Sequence, residues 1–357
     1  MFKTRIAFAI ILLLLTGGCK EKTEAETFDV NLFLKDITQK VIIPTLEDFK
    51  TQTQLLSAKI EEYTEAPEIS KLDAIKTQWV NTAMAYERTY VFHFGPAKSK
   101  FLHQSIYNWP TVPETIEDML ESEQFDAEMI VKASPQIKSL AALEYLLFAK
   151  DSETVQTEMA TNANRLAYLG YAASFLTSQA ERLLKIWQDE GGQYAQKFVS
   201  NQAKGINNSF NLLFNGLYNA ANTAKVTKIG KPGGFEKSPR TNPDRVQAPY
   251  SNTSLPLTLA SIEVIEQVFL GKEHPNISQY IASLGADETT NQRIQTALGE
   301  IKESIAGISV PLKEAVDSHP EKVKKLYEDI TALNIWMGVD ARSTLSIILT
   351  STDNDGD

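Results

Sequence analysis

Between Met159 and Trp187 the apolar residues fall on two interleaved seven-residue series: Met159, Leu166, Ala173, Ala180 and Trp187 on one, and Leu169, Leu176 and Leu183 on the other. Residues spaced by three, four and seven share one face of an α-helix, so this pattern predicts a long helix with a continuous apolar stripe. Such a helix is stable only when the stripe is covered by other elements, which demands a bundle. Its predicted polar face carries Arg165, Gln179, Glu181, Arg182 and Lys185, and Gly191-Gly192 supplies the stop.

The same periodicity recurs along the body. Leu34, Ile37 and Val41 are followed by Leu46, Phe49, Leu56 and Ile60, with Pro44 expected to kink or break the helix. Residues 68–104 form another helical candidate, Ser134-Pro135 is expected to open a helix running to Ala149, and 194–225 reads as one long pattern. Gly230 to Tyr250, with three glycines and four prolines, is the least helical stretch and is expected to separate two units. Beyond it, helices are predicted from Ser254 to Gly271, from Asp287 through Ile301 and Ile305, and from Pro320 to Trp336 and Met337. LSIILT near the end reads as a short extended segment. The expected organisation is a signal peptide over 1–18, a tether over 19–27, an N-terminal helical bundle over 28–225, an irregular linker over 226–253 and a C-terminal bundle with an acidic tail over 254–357.

The N-terminal residues carry an address. Lys3 and Arg5 precede ten apolar residues, Ile6 to Leu15, then Thr16-Gly17-Gly18 and Cys19, the only cysteine of the chain. Ten apolar residues fall well short of the roughly 20 a spanning helix needs, so the layout predicts a signal peptide. Cys19 stands where bacterial lipoproteins carry the lipidated thiol, so the expected membrane partner is reached through a lipid on Cys19. Lipidation consumes the one thiol and excludes disulfides and thiolate metal sites. Lys20, rather than an aspartate, follows it, which by resemblance to bacterial sorting rules favours the outer membrane, facing the periplasm. Without Lys3 and Arg5 the chain has 33 basic against 45 acidic side chains, a balance of −12. That excess of anions argues against nucleic acid as a partner.

One carboxylate stands out. Glu144 is the only Asp, Glu, Lys, Arg or His between Lys138 and Lys150, inside SLAALEYLLFA. In a helix apolar on nearly every face it must be paired, hydrogen-bonded, metal-bound or protonated. Arg88 and Arg165 are the cations expected to meet it if it is paired. Glu87 and Arg88, within the apolar pattern of the Trp79 helix, are themselves expected to form an internal ion pair.

At this point the chain resembles the imelysin-like proteins, a family of peptidase-like proteins linked to bacterial iron uptake. Their GxHxxE motif lies on a helix that continues much as EYLLFA does here. Aligning its Glu with Glu144 places Ala141 at the His and Ser139 at the Gly. In the same order this chain carries Trp79, Tyr86 and Glu87, then FHFGPA at 92–97, NWP at 108–110, KIGKPGG at 228–234, APYSNTSL at 248–255 and the terminal DNDGD. The resemblance spans nearly the whole mature chain and implies an all-α fold of two helical-bundle halves with a cleft between them.

It implies a ligand site in that cleft, with Glu144, Glu87, Arg88, His93, Tyr250 and Ser251 as candidates: Tyr250 and Ser251 offer hydroxyls, and His93 is a candidate to reach Glu144 from another helix. His and Glu three residues apart face one side of a helix, as shared metal coordination or acid-base work requires. Ala141 supplies no lone pair. Iron or another divalent metal held through Glu144 is therefore expected to be weakened or lost. The reading that follows is a non-catalytic or weakly catalytic lipoprotein of iron or heme acquisition. A metallopeptidase with a rearranged site and a scaffold that binds an envelope protein are the alternatives. DNDGD opens like a calcium loop but lacks the closing Glu, so a solvated acidic tail is expected.

Overall fold

The computed structural model describes residues 27–188, 193–286 and 288–350. The signal-like segment, Cys19, Gly191-Gly192, Asp287 and the DNDGD terminus lie outside them. Among the described residues the protein is all-helical with no strand, as the periodicity predicts.

The helices that frame the fold are α1 (Val30–Ile37) and its continuation α2 (Ile43–Glu65), α3 (Ile69–Tyr90), α4 (Leu140–Phe148), α5 (Ala163–Trp187), α6 (Ser209–Thr223), α7 (Ser254–Leu270), α8 (Thr289–Gly307) and α9 (Pro320–Ile335). Helix α2 packs along both α3 and α5, α4 lies against α3 and α5, and α8 pairs with α9. Helix α7 lies against α3, while α6 packs on α7 and α9. The two groups of helices thus meet chiefly through α3 and α7.

The stripe that predicts α5 is the core of the first group: Leu169, Ala173, Leu176, Ala180, Leu183 and Trp187 are all buried. Two of its details differ from expectation. Asn162 interrupts the helix in an extended conformation and caps α5 by accepting from the Arg165 amide at 3.1 Å, so Met159 belongs to a separate short helix. Arg165 and Gln179, expected on the wet face, are buried.

Pro44 does not break its helix. A π-helical turn, Thr38–Ile42, precedes it, and the Ile43 amide bonds back to the Thr38 carbonyl five residues away. The same device precedes Pro232, where the turn Ala224–Gly230 ends with the Lys231 amide on Val226. A proline inside a helix lacks one amide and crowds the carbonyl four residues back, and a wider turn relieves both problems. The second turn also carries Lys228 inward.

Several predicted helices are shorter than their patterns. The 68–104 region is α3 followed by two short turns, Pro96–Ser99 and Leu102–Ile106, and the helix expected from Pro135 starts instead at Leu140 after a single 3-10 turn. The 194–225 pattern is divided by Asn201 and Gly205, both at positive φ, and Asn208 caps the second piece, α6. Gly216 on α6 lies against the Val91 carbonyl, where an added Cβ would sit at 2.2 Å, so α6 is drawn tightly onto the segment that follows α3.

Helix α4 is tied to α3 by the buried Trp79 indole, whose N–H donates to the Leu140 carbonyl at 3.0 Å. Trp79→Phe is expected to cost about 1–2 kcal/mol of stability, the usual scale for a buried hydrogen bond lost with modest repacking, measured as a shift in urea midpoint at unchanged slope.

Candidate binding site

Glu144 is 1% exposed, in the middle of α4. Neither arginine meets it. Its Oε1 accepts three hydrogen bonds from one loop: the Tyr250 amide at 2.9 Å, the Ser251 amide at 2.8 Å and the Ser251 hydroxyl at 2.9 Å. The loop is shaped for this task. Ala248 and Asn252 adopt positive φ, the Ser254 hydroxyl donates back to the Gln247 carbonyl, and Ser251 and Thr253 share a hydroxyl contact of 2.8 Å. Burial pushes the Glu144 carboxyl up to about 7, with the three donors and the more distant Lys313 opposing it. Burial wins, so this acid changes charge near neutral pH.

The arginines have other partners. Arg165 is buried and its Nη2 donates to both Glu117 oxygens at 2.7 and 2.5 Å, and Glu117 also accepts from the Tyr145 hydroxyl at 2.7 Å. Tyr145 in turn packs edge-on against Tyr250, ring centroids 5.6 Å apart. Arg88 is half-exposed and lies 4.0 Å from Glu263 on α7. It does not pair with Glu87, because neighbours in sequence on a helix point about 100° apart.

Glu87 points inward instead and is 2% exposed. Its Oε2 accepts from Lys228 Nζ at 2.5 Å and from the Ser261 hydroxyl at 2.8 Å, and its Oε1 accepts from Gln247 Nε2 at 2.6 Å. Lys228 is equally buried, delivered by the π turn before Pro232. This buried ion pair therefore joins α3, the π turn, the Gln247 loop and α7 at one point. Gln247 and Ser251 lie on the same loop, which couples the Glu87 cluster to Glu144.

A cavity of about 200 Å³ opens against this cluster, lined by Glu87, Lys228, Tyr86, Tyr107 and Trp109 among others. Tyr107 feels both carboxylates, and burial holds its hydroxyl well above its ordinary value. The Tyr107 hydroxyl lies against the Gln247 side chain, whereas the Thr227 hydroxyl on the same cavity wall is buried without a hydrogen-bond partner. An unsatisfied hydroxyl on a cavity wall is a group that a polar ligand would complete.

His93 lies elsewhere. Its Nε2 accepts from the His103 amide at 3.0 Å, the two rings stand 4.6 Å apart, and burial drives its pKa down to about 3. It is a neutral imidazole on the wall of a different cavity. Of the candidates, Glu144, Tyr250 and Ser251 form one cluster and Glu87 a linked one, while Arg88 and His93 stand apart. Lys228, Gln247, Ser261, Tyr107 and Glu117 are the site residues that sequence reasoning did not single out.

The donor set does not fit a resident metal. Ala141, 2% exposed, faces the core where the motif would carry an imidazole, and Glu144 Oε1 is committed to three N–H or O–H donors. Among the described residues no group of three or more His, Cys, Asp or Glu side chains is placed to hold a metal ion.

The family model described as Imelysin matches residues 42–335. This chain belongs to the imelysin family. Among the family's relatives, iron-regulated protein A of Synechococcus elongatus is 23% identical over 239 residues. That match covers 65% of this chain and 62% of the relative, so the chain spans less than two thirds of that protein's length. Two solved structures share the imelysin fold. A candidate iron-regulated protein A precursor from Parabacteroides distasonis superposes with a TM-score of 0.74 at 18% identity, covering 88% of this chain and 94% of that one. An imelysin-like protein from Psychrobacter arcticum gives 0.73 at 19% identity, covering 91% and 99%.

Proposed function

We propose that this imelysin-family chain is a non-catalytic ligand-binding lipoprotein of bacterial iron or heme acquisition, anchored in the cell envelope through Cys19. The observation that carries the reading is Glu144, an acid buried beside Ala141 and held by the Tyr250–Ser251 loop. A metallopeptidase of this family would need an imidazole there, and the groups nearest to Glu144 are amides and a hydroxyl. The iron-related names of its relatives supply the physiological setting. No helix among the described residues is long and apolar enough to cross a membrane, which fits a lipid anchor as the means of attachment.

In this reading iron is cargo and arrives inside an organic ligand. The 200 Å³ cavity lies below the several hundred Å³ typical of drug-sized ligands, which favours a small chelate over a porphyrin unless the helices part. Tyr107 and Thr227 supply hydroxyls to the ligand, Trp109 gives an aromatic wall, and the Glu87–Lys228 pair fixes the floor.

Because Trp109 lines the cavity, its fluorescence reports occupancy. Titration of ferric citrate and of heme into the purified protein is expected to give saturable quenching with one of them. Trp109→Phe should remove the signal and Tyr107→Phe should weaken binding about tenfold, the scale of one hydrogen bond in a buried site. Neither compound quenching, together with recovery of a single envelope protein in pull-down, would favour the scaffold alternative.

A further inference from the structure

Phe28, at the start of the helical body, follows Cys19 by nine residues. Nine residues of chain span at most about 30 Å, so an anchor on Cys19 holds this point close to the bilayer. The run of helix from Val30 through the π turn to Glu65 rises roughly 50 Å, which places Ile69, at the start of α3, toward the far end of the molecule. The surface around Phe28, and not the Ile69 end, is therefore the one that an anchored chain brings to the lipid.

Contacts radiating from Phe28 collect four large apolar side chains that stay near half exposed: Leu32 at 47%, Ile206 at 48%, Leu284 at 49% and Ile348 at 48%. Leu32 lies one turn beyond Phe28, on α1. The Phe28 ring stacks on Tyr280, centroids 4.7 Å apart, and Leu284 follows Tyr280 by one turn, its amide donating to the Tyr280 carbonyl at 3.3 Å. Phe210 stands edge-on to Phe33 and to Tyr280, at 5.8 and 5.1 Å. Beside it, Asn211 Nδ2 donates to the carbonyls of Ile206 and Ile348 at 3.3 and 3.1 Å. Single apolar side chains on a surface are ordinary, but these come from four separate segments onto one end of the protein, and such a patch marks a contact surface. Lys35, one turn after Leu32, and Lys204, two residues before Ile206, are both exposed. Asp29, the acid next to Phe28, is committed to the Leu32 amide at 3.0 Å. Lysines beside apolar side chains suit a lipid interface, where the stem lies in the apolar layer and the ammonium reaches phosphate.

We infer that this end of the protein is its membrane-facing surface, with Leu32, Ile206, Leu284 and Ile348 dipping into the phospholipid interface. One acyl anchor holds a protein weakly and leaves its orientation open, and a second contact made by the protein itself supplies both strength and direction. The inference rests on the lipid-anchored reading above and adds which face that anchor turns toward the lipid.

Because Cys19 is the only cysteine, the mature chain couples through that thiol to vesicles of phosphatidylethanolamine and phosphatidylglycerol carrying a maleimide lipid. A tryptophan is placed in the patch, Leu284→Trp, or at the far end, Ile69→Trp, and the fluorescence it adds over the parent chain is compared in vesicles with ordinary and with brominated acyl chains. The Leu284→Trp signal is expected to fall at least twofold with brominated lipid, and the Ile69→Trp signal to stay unchanged. Adding Leu32→Glu and Ile348→Glu, both at exposed positions, should abolish the quenching of Leu284→Trp without lowering the melting temperature. Equal quenching at the two positions, none at 284, or quenching that survives the two glutamates would overturn the proposed face and leave the anchor standing. A Cys19 without diacylglycerol, read by mass in protein extracted from cell membranes, would overturn the anchor and the proposal with it.

Discussion

Lys228→Met is expected to destabilise the protein by about 3–5 kcal/mol, the cost of leaving a buried charge without its counter-ion. The variant keeps the Gln247 and Ser261 donors on Glu87, but both are neutral, and each side chain of the ion pair is only 3% exposed. Methionine matches the length of the lysine stem, so the loss is electrostatic rather than a cavity effect. Glu87→Gln combined with Lys228→Met removes both charges and should recover most of the lost stability, because replacing a buried pair by neutral groups is often neutral. Urea unfolding of wild type, both single variants and the double variant measures the coupling. A cost below about 1 kcal/mol for Lys228→Met would mean that water reaches Glu87 and that the network is not a sealed joint between the helical groups.

The second large effect concerns pH. The Glu144 carboxyl titrates at about 7 in the folded protein, against an ordinary 4.5 when exposed. Between those values the folded state holds a proton that the unfolded chain has released, so stability falls as pH rises. The contribution is fully present below about 4.5 and is lost as pH passes through about 7. A separation of that size corresponds to about 3 kcal/mol. Glu144→Gln keeps an oxygen to accept from Tyr250 and Ser251 but cannot ionise. The stability of wild type relative to the variant should therefore drop by about 3 kcal/mol between pH 4.5 and pH 8. His93, whose buried imidazole resists protonation in both proteins, cancels in that difference. Parallel profiles for the two proteins would show that Glu144 is solvated and ionised throughout.

The helices were legible because their apolar spacing is a local property. Leu169, Leu176 and Leu183 lie buried where the stripe places them, and Glu144 is isolated in the core as its apolar neighbours require. Its partners were hidden for a physical reason: the two backbone amides that hold it carry no residue-type signal, and they converge only because Ala248 and Asn252 take up positive φ. Arginines were the natural guess for a buried acid, but Arg165 is captured by Glu117 and Arg88 lies on the outer side of α3. Lys228 was equally hard to find. It lies in a Gly- and Pro-rich stretch that reads as irregular, and only the π turn ahead of Pro232 aims it at Glu87. Two of the three π turns among the described residues did leave a trace, since Thr38–Ile42 and Ala224–Gly230 each end two residues before a proline that continues the helix. Gln247 and Ser261, neutral and unremarkable in composition, became visible only once Glu87 was seen to face them.

The motif helix also bears on the proposed loss of chemistry. Ala141 is packed, so an imidazole there would have to displace its neighbours rather than fill a void.

Calorimetric titration of zinc and of ferrous ion into wild type and Glu144→Gln, with casein hydrolysis followed on the same samples, tests most directly whether Glu144 is a loop-held acid or a metal ligand. The expected result is no stoichiometric binding by either protein and no hydrolysis. One equivalent bound by wild type and lost in Glu144→Gln, with chelator-sensitive cleavage of casein, would contradict it and make the chain a metallopeptidase.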